Sequence, residues 1–149
     1  MKLAIGCDHG GFTYKEAIMA HLRDLGYAVT DVGCYDATSV DYPDYGFAVG
    51  ELVASGQVDR GIAICTSGIG ISIAANKVIG IRCALCGDLK SAQLSRMHND
   101  ANVLAMGAGI IPLSLALEIT DAWLNTAFEG GRHQRRVDKI TAYEQNRKG

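Results

Sequence analysis

The chain has 149 residues, 48% of them hydrophobic and 20% charged, a length and balance that suit one globular domain and exclude a disordered polypeptide. Fourteen Lys and Arg against sixteen Asp and Glu leave a formal net charge of -2, too little positive charge for a general nucleic-acid binder. Eighteen Gly with only two Pro indicate tight turns between regular elements.

Residues 2–6 (K-L-A-I-G) form a short apolar run that predicts a buried strand. Phe12, Ala17, Ile18, Leu22 and Leu25 recur at helical spacing, with Lys15, Glu16, Arg23 and Asp24 on the other faces; they predict a helix over 12–25, stopped by Gly26. Residues 27–32 read as a second strand, 33–45 as a loop containing Pro43, and 47–54 as a helix. Residues 61–65 (G-I-A-I-C) are apolar on both faces, as in a central parallel strand covered by helices. Then come a short helix over 71–77, a strand over 81–85, a helix over 89–97 and a strand over 102–106. An apolar helix over 112–124 and a polar one over 132–146 end the series. This alternation predicts one doubly wound α/β domain over 1–149, a five-stranded parallel sheet with helices on both faces. Such sheets bind ligands at the carboxyl ends of their strands, here the loops at 7–11, 33–45, 66–70 and from 88 onward.

Five cysteines, Cys7, Cys34, Cys65, Cys83 and Cys86, are scattered and odd in number. Cys83 and Cys86 have C-x-x-C spacing, but no second pair completes a zinc site, so no metal and no cofactor is expected. Unpaired cysteines fit a reducing cytoplasm. The apolar stretch before Cys7 is too short for a signal peptide, and no run approaches the ~20 residues of a membrane span. A soluble cytoplasmic protein with no membrane or nucleic-acid partner is therefore expected.

Four segments carry candidate chemistry. Asp8 and His9 follow the first strand, where they fit either a polar-ligand site or a capping carboxylate beside a surface histidine. Residues 65–70 (C-T-S-G-I-G) follow the third strand. Backbone N–H groups of a glycine loop opening a helix make an anion site, and a Cys there sits where the helix dipole favours the thiolate. A base beside an oxyanion cradle suits removal of a proton α to a carbonyl; the same residues also fit a structural glycine turn. His98 and Asn99, with Asp100, close the fourth helix, as proton mover or solvated helix end. Arg132 and Arg136 share one helical face, as a phosphate clamp or a solvated basic face. Together these suit isomerisation of a sugar phosphate through an enediolate.

Six segments in order carry a resemblance: G-C-D-H-G-G-F (6–12), V-D-Y-P-D-Y (40–45), I-C-T-S-G-I-G-I-S-I-A-A-N-K (64–77), G-I-R-C-A (80–84), S-R-M-H-N-D-A-N-V-L (95–104) and E-G-G-R-H-Q-R-R-V (129–137). The chain resembles the type B ribose-5-phosphate isomerases, a family that includes the galactose-6-phosphate isomerase subunits. The resemblance implies a homodimer of Rossmann-like subunits, open to further pairing into a dimer of dimers, with sites at the dimer interface and the C-terminal helix packed on the partner. It implies metal-free interconversion of ribose 5-phosphate and ribulose 5-phosphate. In that reading Cys65 is the base and Ser67 lies beside it. The backbone of Thr66, Gly68, Ile69 and Gly70 holds the enediolate oxygen. Asp8 and His98, the latter from the other subunit, open the sugar ring. His9, Arg132 and Arg136 hold the phosphate, and Tyr42 and Asn99 touch the sugar.

Two positions depart from the family pattern. Thr66 stands where Gly is common, and Gly109 where many members direct an Arg at the phosphate. At Gly109 the remaining cations either carry the phosphate alone or leave room for a longer sugar such as allose 6-phosphate; the first is favoured, and Gly109→Arg is then expected to lower KM. Ile71 occupies the position where another branch carries a catalytic Glu, which leaves Cys65 as the base. Competing readings are an isomerase of allose 6-phosphate, galactose 6-phosphate or a tetrose phosphate, and a non-catalytic sugar-phosphate sensor.

Overall fold

The computed structural model describes residues 1–148. In chain order the elements are β1 (Lys2–Cys7), a 3₁₀ turn (His9–Gly11), α1 (Phe12–Asp24), β2 (Ala28–Asp31), α2 (Tyr42–Ala54) and β3 (Arg60–Cys65). They continue with α3 (Ile69–Asn76), β4 (Cys83–Leu85), α4 (Leu89–Asn99), β5 (Val103–Gly107), α5 (Leu113–Asn125) and α6 (Arg132–Lys148). The five strands are all parallel, in the order β2-β1-β3-β5-β4. This is the expected Rossmann-like sheet. β2 lies on one side of β1 and β3 on the other, so a crevice opens between the carboxyl ends of β1 and β3.

Side chains alternate across the strands and build two cores. Leu3, Ile5, Ile62, Ile64, Leu104 and Met106 pack with Ile18 and Leu22 of α1 and with Ile119 and Trp123 of α5. The opposite face is small: Ala4, Ala63 and Ala105 meet Val49 and Val53 of α2 and Ile71 and Ala75 of α3. That face lets α2 come close, since a Cβ added to Gly61 would stand 2.5 Å from Val49 Cγ1.

Several boundaries differ from the sequence expectation, α3 among them, which starts at Ile69 rather than at 71. α2 starts at Tyr42 rather than at 47, with Pro43 in its first turn, where a fixed φ and a missing N–H suit a helix start. β4 starts at Cys83 rather than at 81, because the Ile81 N–H donates to the Val78 carbonyl at 3.1 Å and the Arg82 N–H to Asn102 Oδ1 at 2.8 Å. α4 runs on to Asn99, which places His98 and Asn99 inside its last turn. α6 buries His133 and Val137 and leaves Ile140 and Tyr143 exposed. No helix among the described residues is long and apolar enough to cross a membrane.

Candidate active site

The register of β1 on β3 pairs Cys7 with Ile64, so Asp8 arrives beside Cys65 at the mouth of the crevice. Asp8 is buried and caps the 3₁₀ turn, its Oδ1 accepting the Gly10 N–H at 2.9 Å and the Gly11 N–H at 3.2 Å. It caps and it also faces the crevice, so the two readings of this carboxylate coincide. Asp8, Tyr42, Cys65, Thr66, Ser67, Ile69 and Gly70 line one hollow of about 430 Å³. His9 is exposed, and its Nδ1 accepts the Val40 N–H at 3.2 Å. That bond fixes the neutral ring's proton on Nε2, which is then free to donate to an anion.

The loop from β3 into α3 is shaped around the Cys65 sulfur. Gly68 takes φ 77, a left-handed value that favours glycine, and its N–H donates to Cys65 Sγ at 3.1 Å. The Ile69 N–H donates to Ser67 Oγ at 3.1 Å. Two of the expected cradle amides are therefore turned onto side chains, and Gly70 stands in the first helical turn, where N–H groups lack intrahelical partners. The other cysteines show the effect of burial. Burial pushes Cys7 up to about 12, with Cys34 adding to the effect, and burial pushes Cys83 to about 12 as well. Cys86 is raised by burial too.

Thr66 explains Gly109. A Cβ on Gly109 would stand 3.0 Å from Thr66 Cγ2 and 3.1 Å from the Thr66 carbonyl oxygen, and a Cβ on Gly10 would collide with Thr66 Oγ1. The Thr66 side chain is wedged between two glycines, so the two departures from the family pattern are one packing arrangement. A single Gly109→Arg change meets this crowding, which the sequence expectation did not include.

His98, Asn99, Arg132 and Arg136 lie elsewhere. α4 begins past the carboxyl end of β4 and runs back to the amino end of β5, so its last turn sits at the opposite sheet edge from Cys65. Val103 pairs with Gly61 and Gly107 with Cys65; at about 3.3 Å per residue the two edges are roughly 13 Å or more apart. There His98 stacks on His133, ring centroids 4.1 Å apart and planes 11° from parallel. Glu129 Oε1 lies 3.5 Å from Nε2 of each ring. Arg132 and Arg136 are exposed on the α6 turn that carries His133. Asp100 is structural: it takes φ 47 at the end of α4, and its Oδ1 accepts from Arg96 Nη1 at 2.8 Å. No sequence signal pointed to Glu129 and His133 meeting His98. The Glu-x-x-x-His spacing was visible, but its partner lies more than thirty positions earlier.

The chain matches the model of a family described as ribose/galactose isomerase over residues 3–140. It is 55% identical over 146 residues to ribose-5-phosphate isomerase B of Escherichia coli, covering 98% of each chain. It is 43% identical to the D-erythrulose-4-phosphate isomerase of Pectobacterium atrosepticum, covering 99% of this chain and 98% of that one. The solved structure of ribose-5-phosphate isomerase B from Clostridium thermocellum superposes with a TM-score of 0.97 at 53% identity, covering 98% of this chain and 99% of that one.

Proposed function

Since the chain belongs to the ribose/galactose isomerase family and is an aldose–ketose isomerase, we propose that it interconverts ribose 5-phosphate and ribulose 5-phosphate with Cys65 as the base. The observation that carries this reading is the Gly68 N–H on Cys65 Sγ at the floor of a hollow shared with Asp8 and Tyr42. The Cys65 thiolate removes the C2 proton of the open-chain aldose. The electrons move onto O1, giving an enediolate that the Gly70 amide and its neighbours hold. The proton returns from Cys65 to C1 while the O2 proton passes to O1, leaving a ketone at C2 and a hydroxyl on C1. No step in this scheme calls on a metal. Ser67 keeps the loop closed through Ile69, and Tyr42 walls the sugar.

A closed furanose must first move a proton from its O1 hydroxyl to the ring oxygen. His98 and Asp8 are assigned to that step, and they lie at opposite edges of one sheet. The reading therefore includes a homodimer in which the amino edge of one chain, with His98, Asn99, Arg132 and Arg136, covers the carboxyl edge of its partner. Half-exposed Ile69 and Ile73 beside the hollow supply apolar area for that contact, and exposed Ile140 and Tyr143 leave α6 a face for the partner. Five free thiols suit a reducing cytoplasm.

His98→Asn is expected to slow turnover of ribose 5-phosphate far more than that of an aldose phosphate too short to cyclise; equal losses would remove the ring-opening role. The likeness to the Pectobacterium enzyme supports a second reading, a tetrose phosphate as preferred substrate. Comparing kcat/KM across tetrose, pentose and hexose phosphates decides between them.

A further inference from the structure

We propose that His98, Glu129 and His133 form a binding site for one divalent transition-metal ion of the Zn²⁺ type, and that filling it switches the isomerase off. His98 comes from the last turn of α4, His133 from the first turn of α6, and Glu129 from the turn before it. The two Nε2 atoms each lie 3.5 Å from the same Glu129 oxygen, and the three donor atoms fall within 4.8 Å of one another. Donors on a tetrahedral ion with bonds of about 2.0–2.1 Å stand roughly 3.3–3.5 Å apart. Both His–Glu separations already match that spacing. Two imidazoles and a carboxylate are a borderline N/O set that suits Zn²⁺ and its neighbours, with a fourth position left for water.

The rings do not yet converge. Stacked nearly parallel, they aim their lone pairs side by side, so one must turn for both to reach a single ion. His133 is 8% exposed and fixed in α6, whereas the His98 side chain is 38% exposed and has room to swing. The Glu129 N–H donates to the Met97 carbonyl at 3.1 Å, which ties the carboxylate-bearing turn to α4. The Arg132 charge beside the cluster opposes a cation and keeps the affinity modest. An ion here occupies the His98 ring and removes it from proton transfer. Binding stands on the geometry alone; the switching half rests on the ring-opening role given to His98.

The test is a calorimetric Zn²⁺ titration of the full chain, run beside isomerase assays, on the wild type, Glu129→Gln and His133→Asn. The wild type is expected to take one Zn²⁺ per chain, to lose activity in step with occupancy and to recover it with a chelator. Glu129→Gln changes an exposed residue, so it should remain folded and active without metal while binding Zn²⁺ about 10-fold or more weakly. Co²⁺ on the wild type should give visible d–d bands with no near-ultraviolet thiolate band. A thiolate band, or variants that bind Zn²⁺ as tightly as the wild type, would overturn the site and put the ion on a cysteine. Stoichiometric binding with undiminished activity would uphold the site, and would overturn both the switch and the ring-opening role on which it rests.

Discussion

A side chain at position 109 starts against the Thr66 methyl and carbonyl, and this decides which arginine variant can work. Gly109→Arg alone is expected to gain little for ribose 5-phosphate, because its Cβ must push the loop that carries Cys65. Thr66→Gly with Gly109→Arg removes the methyl contact, and a glycine at 66 lets the backbone ease the remaining contact with its carbonyl. A charge-assisted hydrogen bond to phosphate is worth about 1.5–3 kcal/mol, roughly 10- to 150-fold in KM. A double-mutant cycle on KM should therefore be strongly non-additive; additive single effects would show that the two positions do not communicate. Cys65→Ala should lower kcat by about 10²–10⁴-fold. Cys7→Ala and Cys83→Ala, which remove thiols held protonated by burial, should alter stability and leave the chemistry intact. A thiol reagent at neutral pH should accordingly label Cys65 before Cys7 or Cys83, and mass spectrometry of the peptides reads the order. The meeting of Asp8, Cys65 and the glycine loop at one hollow was legible in the sequence because each lies next to the strand that places it. The Thr66–Gly109 contact was not: both departures were visible as single letters, but only the register of β5 on β3 brings them together.

Among the elements, α1 and β2 are held together by a buried ion pair. Lys15 is fully buried, and its Nζ donates to both Asp31 oxygens at 2.8 and 2.7 Å, with the Phe12 and Tyr35 rings each 5.4 Å away. Burial alone would lower the Lys15 pKa, but Asp31 outweighs it and the net shift is upward. Asp31→Ala leaves the buried ammonium only the half-exposed Glu16 carboxylate, 3.3 Å away, and is expected to cost up to about 3–5 kcal/mol, read by denaturant unfolding. The docking of α6 depends on pH with the opposite sign. The folded chain depresses His133, so the unfolded chain binds the proton more readily and stability falls as pH drops below the ordinary histidine value of 6.5. Protection factors in α6, which correct for the intrinsic slowing of exchange in acid, should fall between neutral pH and about 5, and His133→Asn should flatten that fall. Helix α1 was readable because its apolar spacing and its Gly26 stop agree. The start of α2 was hidden because a Pro that opens a helix also reads as a loop residue, and only the backbone of Tyr42 and Pro43 separates the two. Ile81 and Arg82, expected to open β4, turn their N–H groups onto the Val78 carbonyl and the Asn102 side chain, a diversion that an apolar run cannot reveal.

At the scale of the molecule, the strand order divides the candidate chemistry between two sheet edges. β5 enters between β3 and β4, and α4 carries His98 back to the amino edge on the way. Nothing in the run of segments announced that division, since alternation is the same for any order of parallel strands. A chain that dimerises to complete the site should lose specific activity on dilution, together with its dimer mass in sedimentation. Mixing inactive Cys65→Ala and His98→Asn proteins should restore activity after subunit exchange; no recovery after verified exchange would confine the site to one chain. In a two-fold pair built this way, a hybrid holds both lesions in one site and neither in the other. Two recessive defects mapping to opposite sheet edges would then complement each other in a cell carrying both alleles, while two from the same edge would not. Genetics could therefore draw the boundary between the edges without a structure.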